Sequence, residues 1–250
     1  MEQLSITPGS AGGEQPRAVE GGRGVAWWSE AWALFAKNAG IWIVLGLILF
    51  VIMVVLSLIP LIGFVATSLL LPVLAGGWMA AAERTDRGGG AVEVGDLFAA
   101  FKGERLNQLL VVGALFLVMV VVIGAAMFVL GLGGVMGAIA GGARRSAGGV
   151  MAGIGMGLFA LAVGLLLGLV ATMAVWFATP LVALRNVAPV EAIKLSFAAS
   201  LKNVVPFLVW GVIYIGAAIV ASIPFGLGWV VLAPLLMLTV YTSYKDVFGG

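Results

Sequence analysis

Residues 41–59 read IWIVLGLILFVIMVVLSLI, with no Asp, Glu, Lys or Arg among them. A helix that crosses a bilayer needs about 20 mostly apolar residues, and this run supplies them in one uninterrupted stretch. Five further runs follow the same pattern: 62–82, from 109 past 130, 150–179, 204–223 and 226–243, none with a charged core. They predict an all-α, polytopic membrane helical bundle of six transmembrane helices in three hairpins.

Composition agrees. Of 250 residues, 62% are apolar and 10% charged, whereas soluble domains run at about 45–50% and about 25%. The absence of cysteine excludes disulfides and thiolate metal sites, and there is no histidine either. The usual general base and metal ligand are therefore missing, and neither a cofactor nor a metal is expected. The net charge of +2 is not gathered into one basic block, so nucleic acid is not an expected partner. No basic stretch followed by an apolar one opens the chain, so no cleavable signal peptide is expected. Residues 1–24 are rich in Gly, Pro, Glu and Arg and read as a disordered cytoplasmic tail. Residues 25–250 read as one integral membrane domain.

With six spans, eleven of the thirteen Lys and Arg fall on one side, leaving Arg144 and Arg145 on the other. Cytoplasmic loops carry such an excess. Both termini are therefore expected in the cytoplasm, with residues near Ser10, Arg87, Arg185 and Gly250 on that side of a bacterial inner membrane. Trp27, Trp28, Trp32, Trp42, Trp78 and Trp176 all lie near the same boundary. They read as interfacial anchors, since indole rings favour that level. Trp210 is less easily placed, about two turns into the fifth span.

Shifting the N-terminal hairpin by 165 residues overlays it on the C-terminal one. Ala33, Lys37 and Asn38 fall on Ala198, Lys202 and Asn203, Gly46 on Gly211, and Gly63 on Gly228. Internal repetition is therefore expected, with units at about 26–82 and 188–245 and a degenerate third at 94–180. Each unit opens with a short amphipathic segment. Trp28, Trp32 and Phe35 recur at helical spacing, as do Val190, Ile193, Phe197 and Leu201. In the middle unit Asp96 would cap a helix carrying Leu97, Phe98 and Phe101. Two readings stand for these helices: they lie in the membrane interface, or they cap the bundle on its cytoplasmic side.

Convincing catalytic constellations are lacking. Glu30, Asp96 and Glu191 each fall on one of the short helices, where carboxylates could bind a cation or simply face solvent beside lysines. Arg144 and Arg145 could meet a lipid phosphate or mark a polar loop end. Gly133, Gly137 and Gly141 are spaced by four, as are Gly149, Gly153 and Gly157, and again Gly164 and Gly168. Small residues at this spacing let helices approach closely in lipid. The face they form would join the third and fourth helices, or else another copy, a partner or a pore. Pro72, Pro180 and Pro234 each lie on a returning helix and are candidate kinks. The runs around 131–157 are too long for the bilayer. The flanking helices must either project beyond it or break near 131–134 and 148–149.

The run Trp176-Phe177-Ala178-Thr179-Pro180-Leu181, then Pro189, Glu191-Ala192, Ser196-Phe197, Asn203 and Pro206-Phe207, resembles a family of uncharacterised six-helix proteobacterial inner-membrane proteins. That family is distantly similar to the membrane domain of glycerophosphodiester phosphodiesterases. The resemblance spans about residues 26–248 and is tightest at 176–207. It implies a helical membrane domain and carries no activity, since the hydrolase's soluble domain has no counterpart here.

The expected function is that of a non-catalytic integral inner-membrane protein: a scaffold, assembly partner or lipid-organising module. Its partners would be membrane lipids and a membrane protein or a second copy of itself. The alternative is a channel or uncoupled transporter for a small solute or lipid, motivated by the proline-bearing helices.

Overall fold

A computed structural model describes residues 15–144 and 146–249. Ser10, Arg145, Gly250 and the first part of the expected tail lie outside the described residues. The chain is helical throughout: α1 (Arg23–Lys37), α2 (Ala39–Ser57), α3 (Ile62–Asp86), a 3₁₀ segment (Val94–Lys102), α4 (Leu106–Ala143), α5 (Ala147–Val175), α6 (Ala178–Arg185), α7 (Pro189–Lys202), α8 (Val204–Ser222) and α9 (Trp229–Phe248). Among the described residues, six helical stretches are long and apolar enough to cross a membrane, with α5 and α6 together making the fourth.

α3 and α9 form the centre of the bundle. Val73, Leu74, Trp78, Leu238, Tyr241 and Tyr244 are all buried. α2 and α8 lie outside them and expose Phe50, Val51, Val212 and Ile215. Such exposure suits hydrocarbon, where apolar side chains need no cover. α7 and α8 begin and end within a residue of where α1 and α2, shifted by 165, would fall.

The break between α5 and α6 has a specific cause. In an unbroken helix the Phe177 N–H would donate to the Met173 carbonyl. Here it donates to Ser196 Oγ at 2.9 Å, and Ser196 Oγ donates in turn to the Met173 carbonyl at 2.8 Å. A hydroxyl from α7 is thus inserted into the ladder, one of the few ways a helix is sharply broken. Pro180 sits in the first turn of α6, where its missing N–H does no harm. Pro72 and Pro234 lie inside α3 and α9, which run through them as single helices.

α4 is continuous for 38 residues. α4 runs unbroken through 131–134 and α5 through 148–149, so the expected breaks do not occur. Glycines keep α4 and α5 close enough for each to support the other. A Cβ on Gly134 would lie 2.9 Å from the Gly157 nitrogen, and one on Gly149 would lie 2.8 Å from Gly141 Cα. Gly141 and Gly153 are equally closed, against Gly149–Val150 and Ala138. Gly137 touches Gly153, and Gly164 meets the Met127 side chain. The expected face needs one correction. Cβ atoms on Gly133 or Gly168 would meet open space, so these two leave room, whereas Gly157 takes part through its backbone against Gly134, which also belongs in the contact.

The tail also needs correcting, because order begins well before residue 25. The Arg17 N–H donates to the Val247 carbonyl at 3.0 Å. Asn203 accepts from the Val19 N–H at 2.8 Å and donates to the Arg17 carbonyl at 3.0 Å. Lys202 donates to the Pro16 carbonyl at 3.1 Å. Polar composition suggested disorder, but the backbone of this stretch finds its partners on α7 and α9.

Candidate functional site: an aromatic groove under a charged rim

One end of the bundle carries a network of charge. Arg23 donates to Asp246 at 2.6 Å and to Glu30 at 2.8 Å. Asp246 also accepts from the Trp27 indole at 2.9 Å. Lys245 donates to Asp86 at 3.0 Å, and Asp86 accepts from the Tyr241 hydroxyl at 3.0 Å. Arg185 donates to the Tyr244 hydroxyl at 2.8 Å and to the Phe248 and Gly249 carbonyls. These bonds tie the ends of α1, α3, α6 and α9 into one rim.

Each of the three candidate carboxylates has a cation beside it. Glu30 pairs with Arg23, Asp96 with both guanidinium nitrogens of Arg84, and Glu191 with Lys194 at 3.6 Å. Asp96 also accepts from the Glu93 N–H at 2.7 Å at the start of the 3₁₀ segment. Burial pushes its carboxyl up, but the Arg84 fork and that N–H outweigh burial and hold it below the usual carboxylate range. The geometry is that of structural ion pairs. Among the described residues, no three acidic side chains are placed to hold a metal ion together.

Beneath the rim, three of the six tryptophans are turned away from any interface. Trp27, Trp42 and Trp78 are fully buried, and this corrects the expectation for all three. Trp42 packs on Trp78 with ring centres 5.3 Å apart. Trp28 stacks on Trp210 at 5.7 Å, and Trp176 meets Trp210 edge-on at 4.9 Å. Trp32 alone of the six is largely exposed, at 54%. The end of a helix sets the depth of a side chain but not its bearing.

α8 supplies what the sequence reading missed. Phe207, Trp210 and Tyr214 recur at i, i+3 and i+7, the spacing of a single helix face. Phe207 meets Trp27, Trp176 and Phe177, while Trp210 stacks on Tyr214 at 5.5 Å. Trp210 and Tyr214 of this stripe face a groove of 560 Å³, whose other walls are Gly46, Phe50 and Met53 of α2, Trp78 of α3, Thr172 and Trp176 at the end of α5, and Ala233, Met237 and Val240 of α9. No charged side chain lines it. A second hollow of 420 Å³ shares Gly46, Phe50 and Ala233 with it and extends to Gly226 and Trp229 at the far end. Two groove-lining indoles, Trp78 and Trp210, have buried N–H groups with no acceptor among the described residues. Trp42 has a third.

The chain is similar to a probable inner membrane protein of Burkholderia thailandensis. They are 27% identical over 249 residues, covering 90% of this chain and 91% of that protein. No family model matches the chain. No solved structure matches it.

Proposed function

We propose that the chain is a non-catalytic, multi-pass protein of the bacterial inner membrane that acts as a scaffold, assembly partner or lipid-organising module. The observation that carries this reading is the α4–α5 arm. Its helices are closed on each other at Gly134, Gly141, Gly149 and Gly153. Its outward faces are apolar, with Val135, Met136, Ile139 and Met151 all exposed. At about 1.5 Å per residue the 38 residues of α4 extend about 57 Å, against a hydrocarbon core of about 30 Å. Tilt absorbs only part of the excess. A stiff arm with an apolar surface beyond the hydrocarbon is suited to meeting another membrane-associated chain.

The finer architecture belongs to the same proposal. The three units are hairpins, and α1, the 3₁₀ segment and α7 are cytoplasmic helices that cap the bundle. The matching bounds of α1–α2 and α7–α8 support a repeat. The name of the Burkholderia relative supports the inner membrane, and the charge asymmetry supports cytoplasmic termini.

Affinity purification of the full chain in mild detergent tests the reading. A stoichiometric membrane partner is expected, and its loss is expected when Met136 and Ile139 are both replaced by Asn. Solute flux through proteoliposomes containing only this protein would overturn it in favour of a channel or uncoupled transporter.

A further inference from the structure

We propose that α1 and α7 lie within the rim-side leaflet of the membrane, with Val25 and Trp32 of α1 and Val190 and Leu201 of α7 against the boundary between lipid headgroups and acyl chains. Their inner faces cap the bundle, and this outer edge is a lipid-binding surface. The inference rests on the chain spanning a bilayer and does not require the scaffold role.

The level of α1 is set by α8. α8 has 19 residues, about 28 Å at about 1.5 Å per residue, against a hydrocarbon core of about 30 Å. Every turn of it is therefore needed to cross. α1 does not sit above the start of this helix but beside its first two turns. A Cβ on Gly24 would lie 2.9 Å from Val209 Cβ and 3.0 Å from the Trp210 nitrogen, and the Trp28 indole donates to the Trp210 carbonyl at 3.3 Å. Trp210 is six residues into α8, roughly 9 Å below its start. A helix packed there is at the depth of the lipid, and a soluble protein could not reach its outer edge without displacing lipid first.

The rotation of α1 about its axis is fixed from both sides. Arg23, Glu30 and Lys37 recur every seven residues on one face, and Arg23 and Glu30 are bonded into the rim, to each other and through Arg23 to Asp246. Trp28 turns the other way, to Trp210. Val25 and Trp32 flank Trp28 at i−3 and i+4. They lie nearly opposite the charged face, and both are 54% exposed. An apolar edge that carries an indole, opposite a charged face, is the form of a helix lying in the membrane interface. α7 repeats it independently. Val25, Trp28, Trp32 and Ala36 correspond, 165 residues on, to Val190, Ile193, Phe197 and Leu201, and Val190 and Leu201 are again 54% exposed. α7 too lies beside a span, with Ser196 bonded to Met173 and Phe177.

The test uses the full chain in vesicles of phosphatidylethanolamine and phosphatidylglycerol. A nitroxide is placed on single cysteines, which the native sequence lacks. Its collisions with oxygen, which concentrates in hydrocarbon, are compared with those of a water-soluble nickel chelate. Oxygen should dominate at W32C, V25C and L201C, and the chelate at K37C on the charged face of α1. V212C, exposed and midway along α8, marks the hydrocarbon. Should W32C fail to fold, V25C reads the same edge. Chelate access at W32C or V25C as high as at K37C would overturn the proposal and leave α1 as a solvated cap. Loss of access to both reagents would overturn it as well, in favour of a second copy covering the edge. Chelate access at V212C would overturn the spanning on which it rests. The first two outcomes leave the partner captured by affinity purification untouched, so the readings fail separately.

Discussion

Pro60, Leu61 and Ile62 make the turn between α2 and α3, and the Ile62 N–H donates to the Pro60 carbonyl at 2.7 Å. Leu61 at the centre has φ 62° and ψ −59°, the geometry of a rare, strained γ-turn. A side chain in such a conformation costs about 1–3 kcal/mol. The position 165 residues later is Gly226, at φ 83°, where no side chain is strained. Leu61 is largely exposed, so its removal sacrifices little packing, while glycine's extra freedom in the unfolded chain costs under about 1 kcal/mol. Leu61→Gly should therefore stabilise the protein by about 1 kcal/mol, read as a higher Tm in detergent; a lower Tm would show that the turn stores no strain. Asp96 gives a second single-residue expectation. Its carboxyl titrates below the ordinary value of 3.8 in the folded chain. A depressed pKa contributes stability that is present above the unfolded value and lost as pH falls through the folded one. The 3₁₀ segment should thus stay docked at pH ~5 and release only below 3.8. Hydrogen exchange over residues 94–102 measures this, and release already near pH ~6 would rule out Asp96 as the latch.

Among the elements, the α4–α5 pair separates what glycine spacing says from what it leaves open. Repeats of four at 133, 137 and 141 mark a face that can approach another helix. They do not say which of two adjacent rows does so, and Gly134 rather than Gly133 is the one in contact. A helix that is apolar all round has no polar side to orient it, so rotation about its axis is decided by the partner. The same limit explains Trp42 and Trp78. Their depth was readable from span ends, their inward bearing was not. Length and composition, by contrast, are properties of a segment alone, and the six spans were therefore legible. The 207, 210, 214 stripe on α8 is legible by the same helical spacing that marks Trp28, Trp32 and Phe35. The charged rim was not legible, because Arg23 and Asp246 meet only once α1 and α9 have packed. Contrasting substitutions test the arm. Gly141→Val would drive a side chain into the Gly149–Val150 backbone, whereas Gly133→Val enters open space and replaces a poor helix former with a better one. Amide exchange over residues 139–152 should rise at least tenfold in G141V and stay at the wild-type level in G133V. Equal rises in both would mean that the arm is not held by this face.

At the scale of the whole molecule, charge divides the two ends. The rim gathers Arg23, Glu30, Asp86, Arg185, Lys245 and Asp246 through direct bonds. The opposite end has turns of bare apolar residues, Leu61 and Ile62 in one and Phe225 and Leu227 in the other, and all four are exposed. Arg144, at the C-terminal end of α4, is the cation described there. An even number of spans brings the starts of α2, α4 and α8 and the ends of α3, α6 and α9 to the rim, so the distribution seen in three dimensions follows the one counted along the chain. Lysine and arginine are retained on the cytoplasmic side, so the proposed topology puts the rim in the cytoplasm and the tip of the arm on the opposite face. Because the chain has no cysteine, single cysteines report without background. Arg87 and Arg144 are suitable sites: both are exposed, and among the described residues the hydrogen bonds of Arg87 stay within its own helix, to Glu83. In intact spheroplasts a membrane-impermeant maleimide should label R144C and leave R87C unlabelled until the membrane is opened. The reverse pattern would invert the topology while leaving the fold as it stands. Labelling of both would show that one of the six apolar helices does not cross, and an odd number of spans would place the two sequence-related halves in opposite orientations.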